Sequence, residues 1–309
     1  MSEEYGKHYS VMYRECLEAF ENSIENDSPI FADMTFGAGG HTFRMAKLTE
    51  SAICYSVDQD PDAIKNGNTR IVEENLQDKV NLIYTNYESF PKWVAENKPE
   101  LKFTGILMDL GVSSHQFDTF ERGFSFRSDA PLDMRMDYKN DDVETAADIL
   151  NNYDEEDIAN LIFKYGEERL SRRIAAEIVE RRKEEPITRT KQLEDICFHA
   201  YPKKMRFGKT HPATRTFQAL RIAVNDELGV LENTLQGLFD ILDVGGTLAV
   251  ISFHSLEDRI VKHKFKEIFQ TDKNIAKILS KRPILPSEDE VLENKRSRSA
   301  KLRLIKKLG

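Results

Sequence analysis

Between Pro29 and Gln116 the apolar residues come in short runs, each closed by an acid or a turn. Ile30–Ala32 runs into Asp33, then into Thr35, Phe36, Gly37, Ala38, Gly39, Gly40 and His41, and a helical stretch follows through Leu48. Ala52–Val57 is closed by Asp58, Gln59, Asp60 and Pro61, and two further runs, Val80–Tyr84 and Phe103–Met108, come after it, the latter ending in Asp109. Short apolar runs separated by helical stretches predict buried strands of a parallel sheet joined by right-handed crossovers. Asp60 before Pro61 reads as a helix N-cap with proline at the first helical position.

The rhythm stops after about Gln116. From there to about Arg215 polar loops alternate with amphipathic helices, and no stretch reads as a strand. One helix places Leu170, Ile174 and Ile178 on one face, with Arg172, Arg173, Arg181 and Arg182 around them, and Pro186 ends it. Sheet character returns at Thr247–Phe253, after a Gly245-Gly246 turn, and at Leu302–Ile305. The pattern predicts an α/β core built from residues 1–117 and 217–309, interrupted by an all-α domain over 118–216.

Composition narrows the class. At 309 residues the chain exceeds the usual single domain of about 100–200 residues. Its hydrophobic content of 40% supports a core, and 31% charged residues point to a soluble protein. The net charge of −9 argues against a surface that is basic throughout, though not against local basic patches. Cys16, Cys54 and Cys197 form no C-x-x-C pair, so neither a disulfide framework nor a zinc site is expected. With no signal-like segment and no apolar run near 18 residues, a cytoplasmic protein is expected.

Glycines in the turn after a first strand let the backbone approach a ligand closely, and an acid about 20 residues on can accept bonds from ribose hydroxyls. Gly37, Gly39, Gly40 and Asp58 meet that description, and the pair suits either a dinucleotide or S-adenosylmethionine. Two details favour the second. The loop lacks the full G-x-G-x-x-G that sets a helix N-terminus on a pyrophosphate, and Asp33 puts negative charge where a pyrophosphate would be repelled. His41, at the end of the loop, suits either a helix start or a cofactor contact.

Three stretches, Asp109–Gln116, Glu121–Arg127 and Pro131–Asp137, together resemble the RsmH (MraW) family of bacterial small-subunit rRNA methyltransferases. Further blocks of the same family occur in order at Asp33–His41, Leu220–Leu228, Ile251–Arg259 and Arg296–Arg303, so the likeness runs from about His8 to Arg303. The resemblance implies a class I S-adenosylmethionine-dependent methyltransferase core, Rossmann-like with a mostly parallel sheet, carrying a helical substrate-recognition insertion. It implies methylation of the exocyclic N4 of cytosine 1402, in the decoding centre of 16S rRNA near the P site, within the small ribosomal subunit. Carried over by position, the cofactor contacts fall on Gly39, Gly40, His41, Asp58, Tyr87, Asp109 and Gln116. His115 stands where the family usually has proline, Tyr87 where phenylalanine is common, and Ala130 in place of a glycine. Tyr87 keeps an aromatic face for adenine, whereas His115 bears on the loop that places Gln116.

No cysteine sits in a loop after a strand, so carbon-5 methylation through a cysteine adduct is disfavoured and attack by an exocyclic amine is favoured. The Asp/Asn-Pro-Pro-Tyr motif of many amino-methyltransferases is missing after the fourth strand. Residues after strand ends are then the candidates to accept the amine's hydrogens: Asp109, Ser113 and His254, with Glu257 behind them. Asp133, Arg135 and Asp137 read either as a salt-bridged loop or as a wall of the target pocket.

Two stretches offset the acidic balance. Tyr201–Arg215 holds Lys203, Lys204, Arg206, Lys209 and Arg215 without an acid, interleaved with Tyr201, Phe207 and His211, and Lys295–Lys307 holds seven basic residues and no acid. Such stretches suit phosphate contacts, and aromatic residues can stack on unpaired bases. A nicotinamide-dependent oxidoreductase, a non-catalytic RNA-binding module and a DNA amino-methyltransferase are the competing readings. The sequence leaves the oligomeric state, a homodimer included, open.

Overall fold

The computed structural model describes residues 10–309, and by contacts they divide into two units. The first comprises residues up to Gly111 together with Leu228–Gly309, and the second is Val112–Glu227. The second unit therefore starts earlier and ends later than the pattern of apolar runs suggested. Gln116 belongs with the helices that come after it, and so does the whole helix up to Val224.

The first unit holds a seven-stranded sheet of β1 (Ile30–Asp33), β2 (Ile53–Asp58), β3 (Val80–Tyr84), β4 (Phe103–Asp109), β5 (Leu242–Ser252), β6 (Ala276–Ile278) and β7 (Lys301–Lys307). Their order is β3-β2-β1-β4-β5-β7-β6. The first five strands pair in parallel, while β7 is antiparallel to both β5 and β6. This is the α/β, mostly parallel sheet that the resemblance implies. Strand order reverses direction between β1 and β4, the switch point at whose carboxyl edge open α/β sheets place ligands.

In chain order the helices are α1 (Tyr13–Glu21), α2 (Gly40–Met45), α3 (Pro61–Glu73), α4 (Phe90–Asn97), α5 (Ser114–Asp118), α6 (Ala146–Asn152), α7 (Glu155–Gly166), α8 (Ser171–Arg181), α9 (Thr190–Ala200), α10 (Thr214–Val224), α11 (Glu227–Asp240), α12 (Ser255–Thr271) and α13 (Glu288–Glu293). Helices cover both faces of the sheet, which is why β4 is apolar at nearly every position rather than at alternate ones. Phe31, Cys54, Leu107 and Ile251 join one core with Phe20 of α1 and Phe43 of α2. Ala32, Val57, Ile106, Met108 and Val250 join the other with Leu235 of α11 and Phe265 of α12. Gly105 in β4 has no room for a Cβ, because the Phe20 ring lies against it.

Two details of the sheet differ from the sequence pattern. The Gly245-Gly246 pair is not a turn before β5. It lies within β5 where the register against β4 shifts, and Gly245 takes φ 83°. A bulge of this kind lets the strand continue after a local kink, and a Cβ on Gly246 would collide with the Phe103 carbonyl oxygen. The short β6 has no counterpart in the pattern, since its three residues follow neither period clearly.

The second unit is helical, and among its described residues the only β pairing is an isolated bridge between Pro131 and Arg189. Ile158 and Ile162 of α7, Ile174 and Ile178 of α8, Leu193 and Ile196 of α9 and Leu220 of α10 form its core. The helix α8 ends at Arg181, ahead of Pro186. Leu170 precedes its first turn, whereas Ile174 and Ile178 are fully buried as their spacing predicts.

Candidate active site

The glycine loop joins β1 to α2 and is tied to β2 by two bonds: the Phe36 N–H donates to the Val57 carbonyl at 3.0 Å and the Gly37 N–H to Asp58 Oδ2 at 2.7 Å. Gly37 and Gly39 adopt φ 52° and 77°, where a Cβ is strained, and a Cβ on Gly39 would also collide with the Phe36 and Phe43 rings. Asp58 Oδ1 accepts from the Asp60 N–H at 2.9 Å. Burial pushes the Asp58 carboxyl up to about 7 against these two bonds, which favour its charged form. The carboxylate keeps lone pairs beyond those two amides, enough for a vicinal diol. Asp60 caps α3 through the Asp62 N–H, with Pro61 at the first helical position, as its sequence context predicts.

Asp33 ends β1 almost fully buried, and its Oδ2 accepts from Thr42 Oγ1 at 2.7 Å while Oδ1 accepts from the Thr35 N–H at 3.1 Å. Burial raises its pKa, opposed by His41 and by these bonds. Thr35 Oγ1 in turn accepts the Asp109 N–H at 2.7 Å, so one hydroxyl links the ends of β1 and β4. Sequence reading did not single out Thr35 and Thr42. The signal available was a threonine two residues after a strand-end aspartate, a spacing that lets the carboxylate cap the turn.

His41 does not cap α2; Gly39 occupies that position and no side chain caps it. The imidazole is buried instead, and its Nε2 lies 3.5 Å from Asp109 Oδ2. His41 Nε2 and Asp109 Oδ1 are both buried without a hydrogen-bond partner. Buried polar atoms left unmatched are costly, and a ligand that pairs with them removes that cost. Tyr87 opens a 3-10 turn after β3, capped by Asn86, and is half-buried against the core. The glycine turns, the lone pairs of Asp58, the unmatched atoms of His41 and Asp109 and the aromatic face of Tyr87 are of the kinds that suit S-adenosylmethionine.

The candidates after β5 are arranged differently. Glu257 Oε2 accepts from the Phe253 N–H at 2.8 Å and the His254 N–H at 3.2 Å, and His254 Nδ1 accepts from the Glu257 N–H at 3.4 Å. The two residues thus form a capping box at the start of α12. His254 Nε2 lies 3.1 Å from Glu257 Oε1 but in poor alignment, and it remains buried without a hydrogen bond.

Ser113 and Gln116 belong to the second unit, where they form another capping box, at the start of α5. Gln116 Oε1 accepts from the Ser113 N–H at 2.9 Å, and Ser113 Oγ accepts from the Gln116 N–H at 3.2 Å. In the same unit Arg135 grips Asp133 with two bonds of 2.9 and 3.0 Å, so this stretch is a salt-bridged loop. Three residues not singled out from the sequence hold the unit together. Arg122 is buried and donates to the Arg135 and Met136 carbonyls; Asn225 bridges Met134 O and Met136 N; Arg221 pairs with Glu227 at 2.8 Å.

The two basic stretches also differ. Lys203, Lys204 and Lys209 are exposed and enter none of the ion pairs among the described residues, and Phe207 beside them is 87% exposed. In the C-terminal stretch Arg303 and Lys301 reach Asp258 at 2.7 and 3.4 Å, and Lys307 donates to the Asp240 and Leu242 carbonyls. Burial works against ionisation of Asp258, but these cations outweigh it and hold its carboxyl below the usual range. Part of that stretch is therefore occupied in holding β7.

The family description "MraW methylase family" matches residues 5–308. The chain is 46% identical over 301 residues to a protein of Nostoc punctiforme named ribosomal RNA small subunit methyltransferase H, covering 97% of this chain and 94% of that one. Proteins of the same name from Clostridioides difficile and a Sulfurihydrogenibium species are 42% and 43% identical, with coverage of 97% and 98% of this chain and 99% of each relative. With the family matched over nearly its whole length, the chain belongs to the MraW methylase family and is an S-adenosylmethionine-dependent methyltransferase.

Proposed function

We propose that this enzyme methylates the exocyclic N4 of a cytosine in the decoding centre of 16S rRNA, acting in the cytoplasm on the small ribosomal subunit. The observation that carries the chemistry is the unmatched Asp109 Oδ1 at the end of β4, with His41 Nε2 beside it. The names of the relatives support the substrate.

S-adenosylmethionine, when bound, supplies a methyl group activated by its sulfonium. Asp58 accepts the ribose hydroxyls, Tyr87 offers its ring to the adenine, and Gly39 and Gly40 let the backbone close on the ligand. The lone pair of the cytosine amine is delocalised into the ring, so the free amine is a weak nucleophile. Asp109 accepts one of its N–H groups, which localises electron density on N4 and orients it. With the methyl group delivered to N4, Asp109 takes up the N4 proton and releases it to water. His41 holds the Asp109 carboxylate in place. Ser113 and His254 remain second candidates for contact with the base, with Glu257 orienting His254 through the start of α12. Gln116 is assigned to the cofactor by resemblance alone, its Oε1 accepting from the Ser113 N–H. The lysines at 203, 204 and 209 meet phosphates and Phe207 stacks on an unpaired base.

The test is transfer of label from S-adenosylmethionine to small subunits lacking the modification, with naked 16S rRNA and duplex DNA in parallel, followed by nucleoside analysis. Label recovered as N4-methylcytidine from subunits supports the assignment. Label in DNA, on another base, or on no acceptor despite cofactor binding overturns it.

A further inference from the structure

Glu290, in α13, is 5% exposed, and its Oε1 accepts the Met12 N–H at 2.7 Å across a sequence separation of 278 residues. Met12 is the residue before α1, itself fully buried, and it takes a left-handed conformation at φ 51°. No nearby side chain caps this helix, so the distant carboxylate provides an acceptor and a negative charge at its amino end. Burial raises the Glu290 pKa, opposed by the Met12 N–H.

The residues preceding α1 lead directly to the glycine loop. Ser10 is buried, and Arg44 Nη1 donates both to its Oγ at 3.3 Å and to the Gly40 carbonyl at 2.5 Å. The Arg44 guanidinium lies 4.5 Å from the centre of the Tyr13 ring. A Cβ on Gly40 would collide with the Ser10 hydroxyl, so the Ser10–Tyr13 segment is in close contact with the first turn of α2.

We propose that Glu290 is a positioning residue for the cofactor loop: by fixing Met12 it holds Ser10–Tyr13 against α2 and so sets where Gly40 and His41 stand. The inference rests on the assignment of that loop to S-adenosylmethionine. Gly40 touches the cofactor in the ground state as in the transition state, so loosening it weakens binding, while His41, which stands beside Asp109, carries a smaller part of the loss into turnover.

The experiment is calorimetric titration of the full chain with S-adenosylhomocysteine, with steady-state kinetics alongside, for the wild type, Glu290→Ala, Glu290→Gln and Arg44→Met. Glu290→Ala is expected to raise the Kd and the KM for S-adenosylmethionine about ten-fold, with a smaller fall in kcat. Glu290→Gln keeps an acceptor for the Met12 N–H and is expected to recover most of the affinity. An unchanged Kd for Glu290→Ala, however far its melting temperature falls, overturns the proposal. If Glu290→Ala does not fold, Arg44→Met, which loosens the same segment from the other side, decides by the same criterion. Failure of the wild type to bind S-adenosylhomocysteine would instead refute the assignment of the loop.

Discussion

The ends of β4 and β5 lie side by side in one sheet, and each carries or is closely followed by side chains of the kinds that do chemistry, yet they use them differently. At the end of β4, Asp109 keeps a buried oxygen without a partner, facing a histidine in the same condition. Beyond β5, the Glu257 carboxylate takes two backbone N–H groups and His254 Nδ1 a third, serving the start of α12, and of His254 the Nε2 is left buried without a hydrogen bond. The difference arises from the next element of the chain in each case. A helix beginning at once presents unmatched amides that claim the nearest acceptors, whereas a strand running into a loop leaves its terminal side chain for a ligand. The two basic stretches repeat the contrast, one exposed and the other partly engaged by Asp258 and by backbone carbonyls.

The largest effect that could break this comparison is at Asp109. Asp109→Asn should lower kcat by about 100-fold or more, the usual range for loss of a positioned proton acceptor, with S-adenosylhomocysteine affinity changed less than about ten-fold. His254→Ala should cost about ten-fold at most, and the reverse ranking would move the chemistry to β5.

Next in size is a pH effect at Asp58. Its pKa is raised to about 7 by burial, so the ionised form, proposed to accept the ribose hydroxyls, prevails above that pH and declines below it. The Kd for S-adenosylhomocysteine should rise about ten-fold from pH 8 to pH 6, and Asp58→Asn should bind weakly with no such dependence. The same shift makes ionised Asp58 a cost to the ligand-free fold. That cost is fully present above about 7 and is relieved as the pH falls toward the ordinary carboxylate range.

Replacing Lys203, Lys204 and Lys209 together with glutamine should flatten the salt dependence of rRNA binding by about two units of logarithmic slope. Lys301→Gln should leave the slope nearly unchanged and lower the melting temperature. Equal slopes for both variants would erase the distinction between the two stretches. The smallest effect is at Glu257, where Glu257→Ala should cost about 1–2 kcal/mol of stability, read as a fall of several degrees in thermal denaturation.

Those parts of the site whose partners lie close in sequence or in a repeating pattern were legible beforehand. The apolar runs of β1 to β4 stand out because helices bury both faces of the sheet, and the glycine loop with Asp58 because one crossover unit separates them. The pairing of Asp109 with His41 was not legible, since it depends on β1 and β4 being neighbours. Glu290 was invisible for a stronger reason, because its partner is a backbone N–H, which carries no residue identity. Ser113 and Gln116 sit at the spacing of a capping box, a local signature less prominent than the chemistry of a hydroxyl after a strand.

The contact between Glu290 and Met12 also bears on the order of events during synthesis. A ribosome makes the glycine loop early, then the whole helical unit, then β5, and only near the end the carboxylate that anchors Met12. β4 likewise waits for β5, its neighbour in the sheet, until the helical unit has been made. Since domains tend to fold as units during translation, the helical unit can fold while the sheet is still half-built. A nascent chain stalled before residue 290 would then carry every side chain assigned to the cofactor and still lack the anchor at Met12.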